Sequence, residues 1–297
     1  MPVVLYVRPL RGSDTVSAEL VLLGTGTPNA EAGRQGSALA IVVDDCAYLV
    51  DFGPGVVRRA LQAWRELGVA ALAPPGLRLA FLTHLHHDHT AGLPDLLLTP
   101  WTLGRREALT VYGPVGLAAL AQGVRMAWCE DVRERLEGLE PANDTGRHLV
   151  PHEFVAPGRI YEDARVLVTA FRVQHGSWPA WAYRFDTDSG RIVISGDTAP
   201  CAGIEAAAQD CDVLVHEVYT ARTFAALTPA WQRYHGSVHT STRELAALAR
   251  RVRPRLLVLV HQLCWGGALE TVPDEVREDY DGAVINGHDL LRIPLPA

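Results

Sequence analysis

The chain has 297 residues, 48% of them apolar, with 34 acidic against 27 basic side chains and a formal charge of −7. That length can bury a full core, no apolar run approaches membrane-spanning length, and the acidic balance disfavours a nucleic-acid partner. Every basic residue is an arginine, which excludes Schiff-base and phosphate-loop lysine chemistry.

In chain order, residues 3–7 are too short for a secretory apolar region, and Arg8 and Arg11 follow them rather than precede; a cytoplasmic protein is expected. Residues 19–24 form a strand ending in Gly24-Thr25-Gly26-Thr27-Pro28, where Pro28 breaks the helix that a dinucleotide site would need. Residues 37–43 and 47–50 form a hairpin turning at Asp44-Asp45. Asp51-Phe52-Gly53 follows, and Asp51 could cap the helix expected over 55–67.

The next strand, 79–82, runs into Thr83-His84-Leu85-His86-His87-Asp88-His89, and a helix is expected from 92 to about 101. His84 and His86 are two apart, so in an extended segment their rings share a side; Asp88 and His89 can swing to a second centre. Imidazoles with a carboxylate suit zinc, manganese or iron. Four donors on one turn are too many for one open catalytic ion and right for half of a two-ion site.

A strand at 109–112 and a helix opening at Pro114 come next. Residues 121–164 show no clear alternation and are expected to form an inserted lid or rim of helix and loop, with His148 and His152 at its surface. A strong strand over 165–173 leads to His175. A hairpin, 182–185 with 191–194, leads to Asp197, which could cap the helix near 203–208. A buried strand at 213–215 leads to His216-Glu217, and a long loop then carries residues 234–242, including His239. Ser241 or Thr240 caps a helix over 242–251 with Glu244 in its first turn. The last core strand, 255–260, ends at His261; a helix over 273–280 and the segment 283–294, with His288 in a late turn, complete the chain. The five cysteines are odd in number and lack Cys-x-x-Cys spacing, so no disulfide framework is expected and Cys264 reads as a packed thiol.

Periodicity alone gives an α/β protein. The run His-x-His-x-Asp-His, with the glycine-rich turn after the first strand, resembles the metallo-β-lactamase superfamily, in its ribonuclease-Z-like and arylsulfatase-like branch. The resemblance implies a four-layer αββα sandwich, with residues 1–297 as one domain carrying the insertion at 121–164. It places His84, His86 and His175 at one divalent ion and Asp88, His89 and His261 at another, with Asp197 bridging. The ions would be Zn2+ first, with Mn2+ or iron as alternatives. Asp51 then orients a ligand from behind. In ribonuclease-Z-like proteins a histidine near Ser/Thr residues, paired with an acid, donates a proton to the leaving group. His239 and Glu217 match that pair, and a helix-capping turn is the other reading.

The chemistry implied is hydrolysis of an ester by a water acidified between two ions, with Asp88 orienting the attack. Three substrate classes compete: a small phosphodiester; a sulfate ester, carboxylic ester or lactone; and none, for a non-catalytic metal-binding protein. tRNA 3′-end cleavage is disfavoured, because tRNA-cutting members often carry a long arm between the third histidine and the bridging aspartate. Here residues 176–196 leave room only for a hairpin. Trp178 and Trp181, beside His175, could wall a pocket for a small apolar substrate or simply pack the hairpin. Homodimers are common in the resembling families.

Overall fold

The computed structural model describes residues 18–295; the stretch 3–7 read for a signal lies outside the described residues. The chain opens with three antiparallel strands, β1 (Ala18–Gly24) beside β2 (Ala38–Val43) beside β3 (Cys46–Val50). Helix α1 (Val56–Leu67) crosses to β4 (Leu79–Phe81). The histidine-rich turn then holds α2 (His87–Thr90), and α3 (Leu93–Thr102) leads to β5 (Leu109–Pro114). Helices α4 (Leu117–Ala127) and α5 (Cys129–Glu137) precede β6 (Leu149–Phe154).

The second half begins with β7 (Gly158–Glu162), β8 (Val166–His175), β9 (Trp178–Thr187) and β10 (Gly190–Ile194). Then come α6 (Ala202–Ala207), β11 (Val213–Tyr219), α7 (Ala221–Phe224), α8 (Pro229–Val238), α9 (Thr242–Val252) and β12 (Leu256–Leu263). The chain closes with α10 (Val272–Arg277), β13 (Val284–Asn286) and β14 (Arg292–Pro294).

Two seven-stranded sheets result, ordered β14-β1-β2-β3-β4-β5-β6 and β13-β12-β11-β10-β9-β8-β7. Their alternation builds four layers. On β1, Leu20 and Leu22 enter the core between the sheets, while Val21 and Leu23 enter the core under α1, α3 and α4. On β11, Val213 and Val215 face between the sheets, and Leu214 and Val218 pack with the residues of α6, α9 and α10. This is the expected αββα sandwich.

Three local expectations are corrected. Strand β5 runs through Pro114, and α4 starts at Leu117 after Gly116, whose φ of 108° turns the chain. Residues 149–162, read as helix and loop, form β6 and β7, one edge strand of each sheet. Edge strands are half solvated, so β6 buries only Leu149 fully and shows no clean alternation. Residues 234–238, read as loop, are the last turn of α8.

In the first sheet β3, β4 and β5 run parallel, and in the second β10, β11 and β12 do. Strand β8 shares the direction of β10, since both are antiparallel to β9. The C-terminal ends of these strands therefore collect at one edge of the sandwich, where α/β proteins place their sites.

Candidate metal centre

Each sheet contributes to that edge. From the first, β4 ends at Phe81 and delivers His84 and His86; α2 then turns Asp88 and His89 inward. The turn fits tightly under the β3–α1 loop. A Cβ on Gly53 would lie 2.2 Å from the Asp88 carbonyl oxygen, so glycine is required there. From the second sheet, β8 ends at His175, β10 leads to Asp197, and β12 carries His261. His261 sits at a β-bulge: Glu217 pairs with Val260 and Val218 with Gln262, which leaves His261 outside the ladder. Its φ is 45°, and its N–H donates to the Thr25 carbonyl at 3.0 Å. A non-glycine residue held there is strained, and the bulge re-aims the ring at Asp88.

The donors fall into two sets. His84 Nε2 lies 2.9 Å from His86 Nδ1, and His175 Nε2 lies 3.1 Å from the same atom. Asp88 Oδ2 lies 3.2 Å from His261 Nε2 and 3.4 Å from His89 Nε2. Asp197 faces both sets: its carboxylate oxygens lie 3.9 Å from His84, 4.0 Å from His175, 3.5 Å from His89 and 3.6 Å from His261. All but His86 are at most 3% exposed.

A second layer fixes which ring nitrogens point inward. His175 Nδ1 donates to the Val238 carbonyl at 2.8 Å. His84 Nδ1 donates to Thr83 Oγ1 at 3.0 Å, and Thr83 donates onward to Asp51. His89 Nδ1 donates to Asp51 Oδ2 at 2.7 Å. Asp51 also accepts the Thr83 N–H at 2.8 Å and, at φ 59°, caps no helix.

These residues fit a pair of cations. Two of the three facing nitrogens in the first set carry lone pairs, because their rings' protons are spent behind them. His86 Nδ1 has at most one proton and cannot satisfy both of the nitrogens that lie about 3 Å from it, but two nitrogens on a tetrahedral zinc ion sit about 3.3 Å apart. In the second set His89 Nε2 and Asp197 Oδ1 are buried with no hydrogen-bond partner. Burial and then neighbouring imidazoles hold His84 well below its usual range and His86 down to about 4, the neutral form a cation needs. Burial also lowers His175. For Asp197 burial works upward, but His261, His89 and His84 outweigh it and keep the carboxyl ionised. Burial lowers His89, yet Asp197 and Asp51 push it well above the usual imidazole range, so a cation there displaces a proton.

His239 follows α8 and lies beside the donors. Its Nδ1 donates to Glu217 Oε1 at 3.1 Å. The same oxygen accepts the Thr198 and Thr240 N–H groups at 3.1 and 3.2 Å. The alternative reading as a capping turn holds one residue pair later: Ser241 and Glu244 form the capping box of α9. His148, His152 and His288 lie outside the donor sets. Burial raises the Cys264 thiol to about 11.

The two tryptophans separate. Trp181 is fully buried between the sheets, against Phe154 and under the Arg172 guanidinium, and cannot wall a pocket. Trp178 is 39% exposed and lies against His86, with ring centroids 4.9 Å apart. The cleft over the donors, of about 510 Å3, is walled instead by Trp231, Tyr234, His235 and Trp265, with Pro28 and Leu227. None of these was read from the sequence as part of a pocket.

A model of the beta-lactamase superfamily domain matches residues 47–262. A ribonuclease Z of Mycobacterium bovis is 30% identical over 281 residues, covering 93% of this chain and 97% of that one. A metallo-beta-lactamase fold protein from Bacillus subtilis superposes with TM-score 0.71 at 17% identity, over 94% of this chain and 99% of that one. The short form of human tRNase Z gives 0.67 at 22%, over 94% and 100%. These relatives leave the expectation against nucleic acid, drawn from net charge, without support; net charge does not report local fields, and bound cations change them. No helix among the described residues is long and apolar enough to cross a membrane. The chain belongs to the metallo-β-lactamase superfamily, as a metal-dependent hydrolase of the ribonuclease-Z-like kind.

Proposed function

We propose that this protein hydrolyses a phosphodiester of small size, using two divalent ions, zinc first, held by His84, His86 and His175 and by Asp88, His89 and His261, with Asp197 between them. The observation that carries the reading is the shared carboxylate: Asp197 lies within 4.0 Å of four imidazoles from both sets. When bound, the ions would acidify a water molecule and screen the negative charge of the phosphate.

The chain's own residues do the rest. Asp88, with Oδ1 unpaired, accepts a hydrogen bond from the attacking water and aligns it. Glu217, fixed by the two backbone N–H groups, holds His239 by Nδ1 and leaves its other nitrogen for the leaving oxygen. Burial opposes charge on His239, but Glu217 and then Asp197 raise its pKa, so the ring can carry the proton that an alkoxide leaving group takes.

A second reading, cleavage at the 3′ end of an RNA, is favoured by the relatives named ribonuclease Z. Against it stands the chain between His175 and Asp197, which is only the turn, β9, β10 and their loop. One assay separates the readings. Protein loaded with zinc or manganese is offered bis-nitrophenyl phosphate, nitrophenyl sulfate, a simple lactone and an RNA with a 3′ extension. The proposal expects the diester to turn over fastest. A preference for the sulfate or lactone overturns it, and rapid single cleavage of the RNA with a slow diester transfers it to the second reading.

A further inference from the structure

The wall of the cleft is built at a cost that the donor sets do not explain. Trp265, just after β12, has φ 41°. A bulky side chain in that left-handed region is an outlier, and such strain persists where surrounding structure holds it for use. Its ring is propped by Tyr219 and Phe224, at 5.7 and 6.1 Å, and faces His235 at 4.7 Å. From the other side α8 presents Trp231, stacked on His235 at 5.5 Å and 23°, and Tyr234, edge-on to it. Trp231 and Tyr234 are 55% and 43% exposed, large apolar rings left facing the cleft. Tyr234 lies 6.5 Å from His239, so the ring wall begins where the proton donor sits. No arginine lines this cleft among the described residues.

We propose that Trp231, Tyr234 and Trp265 form a stacking subsite for a planar ring carried on the phosphate ester, a nucleobase or an aryl group, and so set the substrate class of this site. The inference rests on the phosphodiester reading above. Rings stack on such faces without base-specific hydrogen bonds, so the subsite selects flatness over sequence.

The test measures binding apart from turnover. Adenosine 5′-monophosphate, phenyl phosphate and methyl phosphate are titrated into the full chain, followed by tryptophan fluorescence and by calorimetry. Both ring-bearing phosphates should bind about tenfold more tightly than methyl phosphate, and their ratio tells nucleoside from aryl. Trp231→Ala should remove most of that preference and Trp231→Phe should keep it, with circular dichroism checking the fold. Equal affinity for all three phosphates, or a preference intact in Trp231→Ala, overturns the subsite. If ring preference is found but loaded protein leaves every diester untouched, the phosphodiester reading fails while the subsite stands. If diesters are cleaved with no ring preference, only the subsite fails.

Discussion

His84, His86, Asp88 and His89 share one turn at the end of β4, whereas His175, Asp197 and His261 come from three strands of the other sheet. The first group is set by local geometry: two rings on an extended stretch, then one turn of helix. The second is set by register, since a one-residue slip in β8 or β12 would turn its donor to the other face. The site is therefore a seam. Its chemistry depends on two sheets holding their relative position, and most on the residue that faces both groups.

The change with the largest expected effect removes that shared charge. Asp197→Asn should lower turnover of an activated diester on the order of a thousandfold and reduce bound metal to one ion or none, read by elemental analysis. Two ions retained at full occupancy would show that the groups are independent and not joined through Asp197.

His239→Ala comes next and leaves both donor groups intact. General acids contribute about a hundredfold or more, and only where the leaving group needs the proton. Alkyl diesters should slow far more than nitrophenyl ones. An equal loss across leaving groups removes His239 from that role, and Glu217→Gln should give the same pattern more weakly.

Much of the first group was legible because its donors are contiguous: His84 to His89 read directly as a two-ion half-site. The second group was reached by its strand ends and the resemblance, since nothing local marks a lone His175. The bulge that re-aims His261 left no signal, because it shows only in the pairing of β11 with β12. Helix α8 hid behind Gly236 and Ser237, although Thr228-Pro229 is a helix start that could have been read. The pocket assignment failed by a rule already available. Residues three apart on a strand face opposite ways, so Trp178 and Trp181 could not share a wall; Trp181 follows the parity of Tyr183 and Phe185 into the core.

Each group has its own support, which gives a smaller and paired effect. Asp51 orients His89 directly and His84 through Thr83. On the other side Asp289 accepts the N–H and hydroxyl of Thr25 at 3.0 and 2.9 Å, and Thr25 holds the His261 backbone. Asp51→Ala should weaken metal binding about 10- to 100-fold, as loss of such outer partners does. Asp289→Ala acts through one more link and should cost less, about tenfold at most. Competition with a metal chelator measures both, and a larger loss for Asp289→Ala would reverse the view that directness of support sets its weight.

The smallest effect concerns the seam itself. Asp163, between β7 and β8, ties the sheets: its carboxylate accepts the hydroxyls of Tyr48, on β3, and Tyr161, on β7, at 2.7 and 2.8 Å. It also accepts the backbone N–H groups of Arg165 and Val166. Burial works to raise its pKa, but these bonds, led by Tyr48, hold it below the usual carboxylate range. A carboxyl lowered in the folded state stabilises the fold fully above its unfolded pKa, about 3.9, and less as pH falls through the folded value. Asp163→Asn should therefore cost roughly 1–2 kcal/mol at neutral pH, and the gap from wild type should close below about pH 4. Because Asp163 sits at the far end of β8 from His175, metal content at neutral pH should not change. Denaturant unfolding across pH, with metal content measured beside it, checks both halves. If the weakened tie also released metal, the two sheets would be coupled along their whole length and not only at the edge where the donors meet.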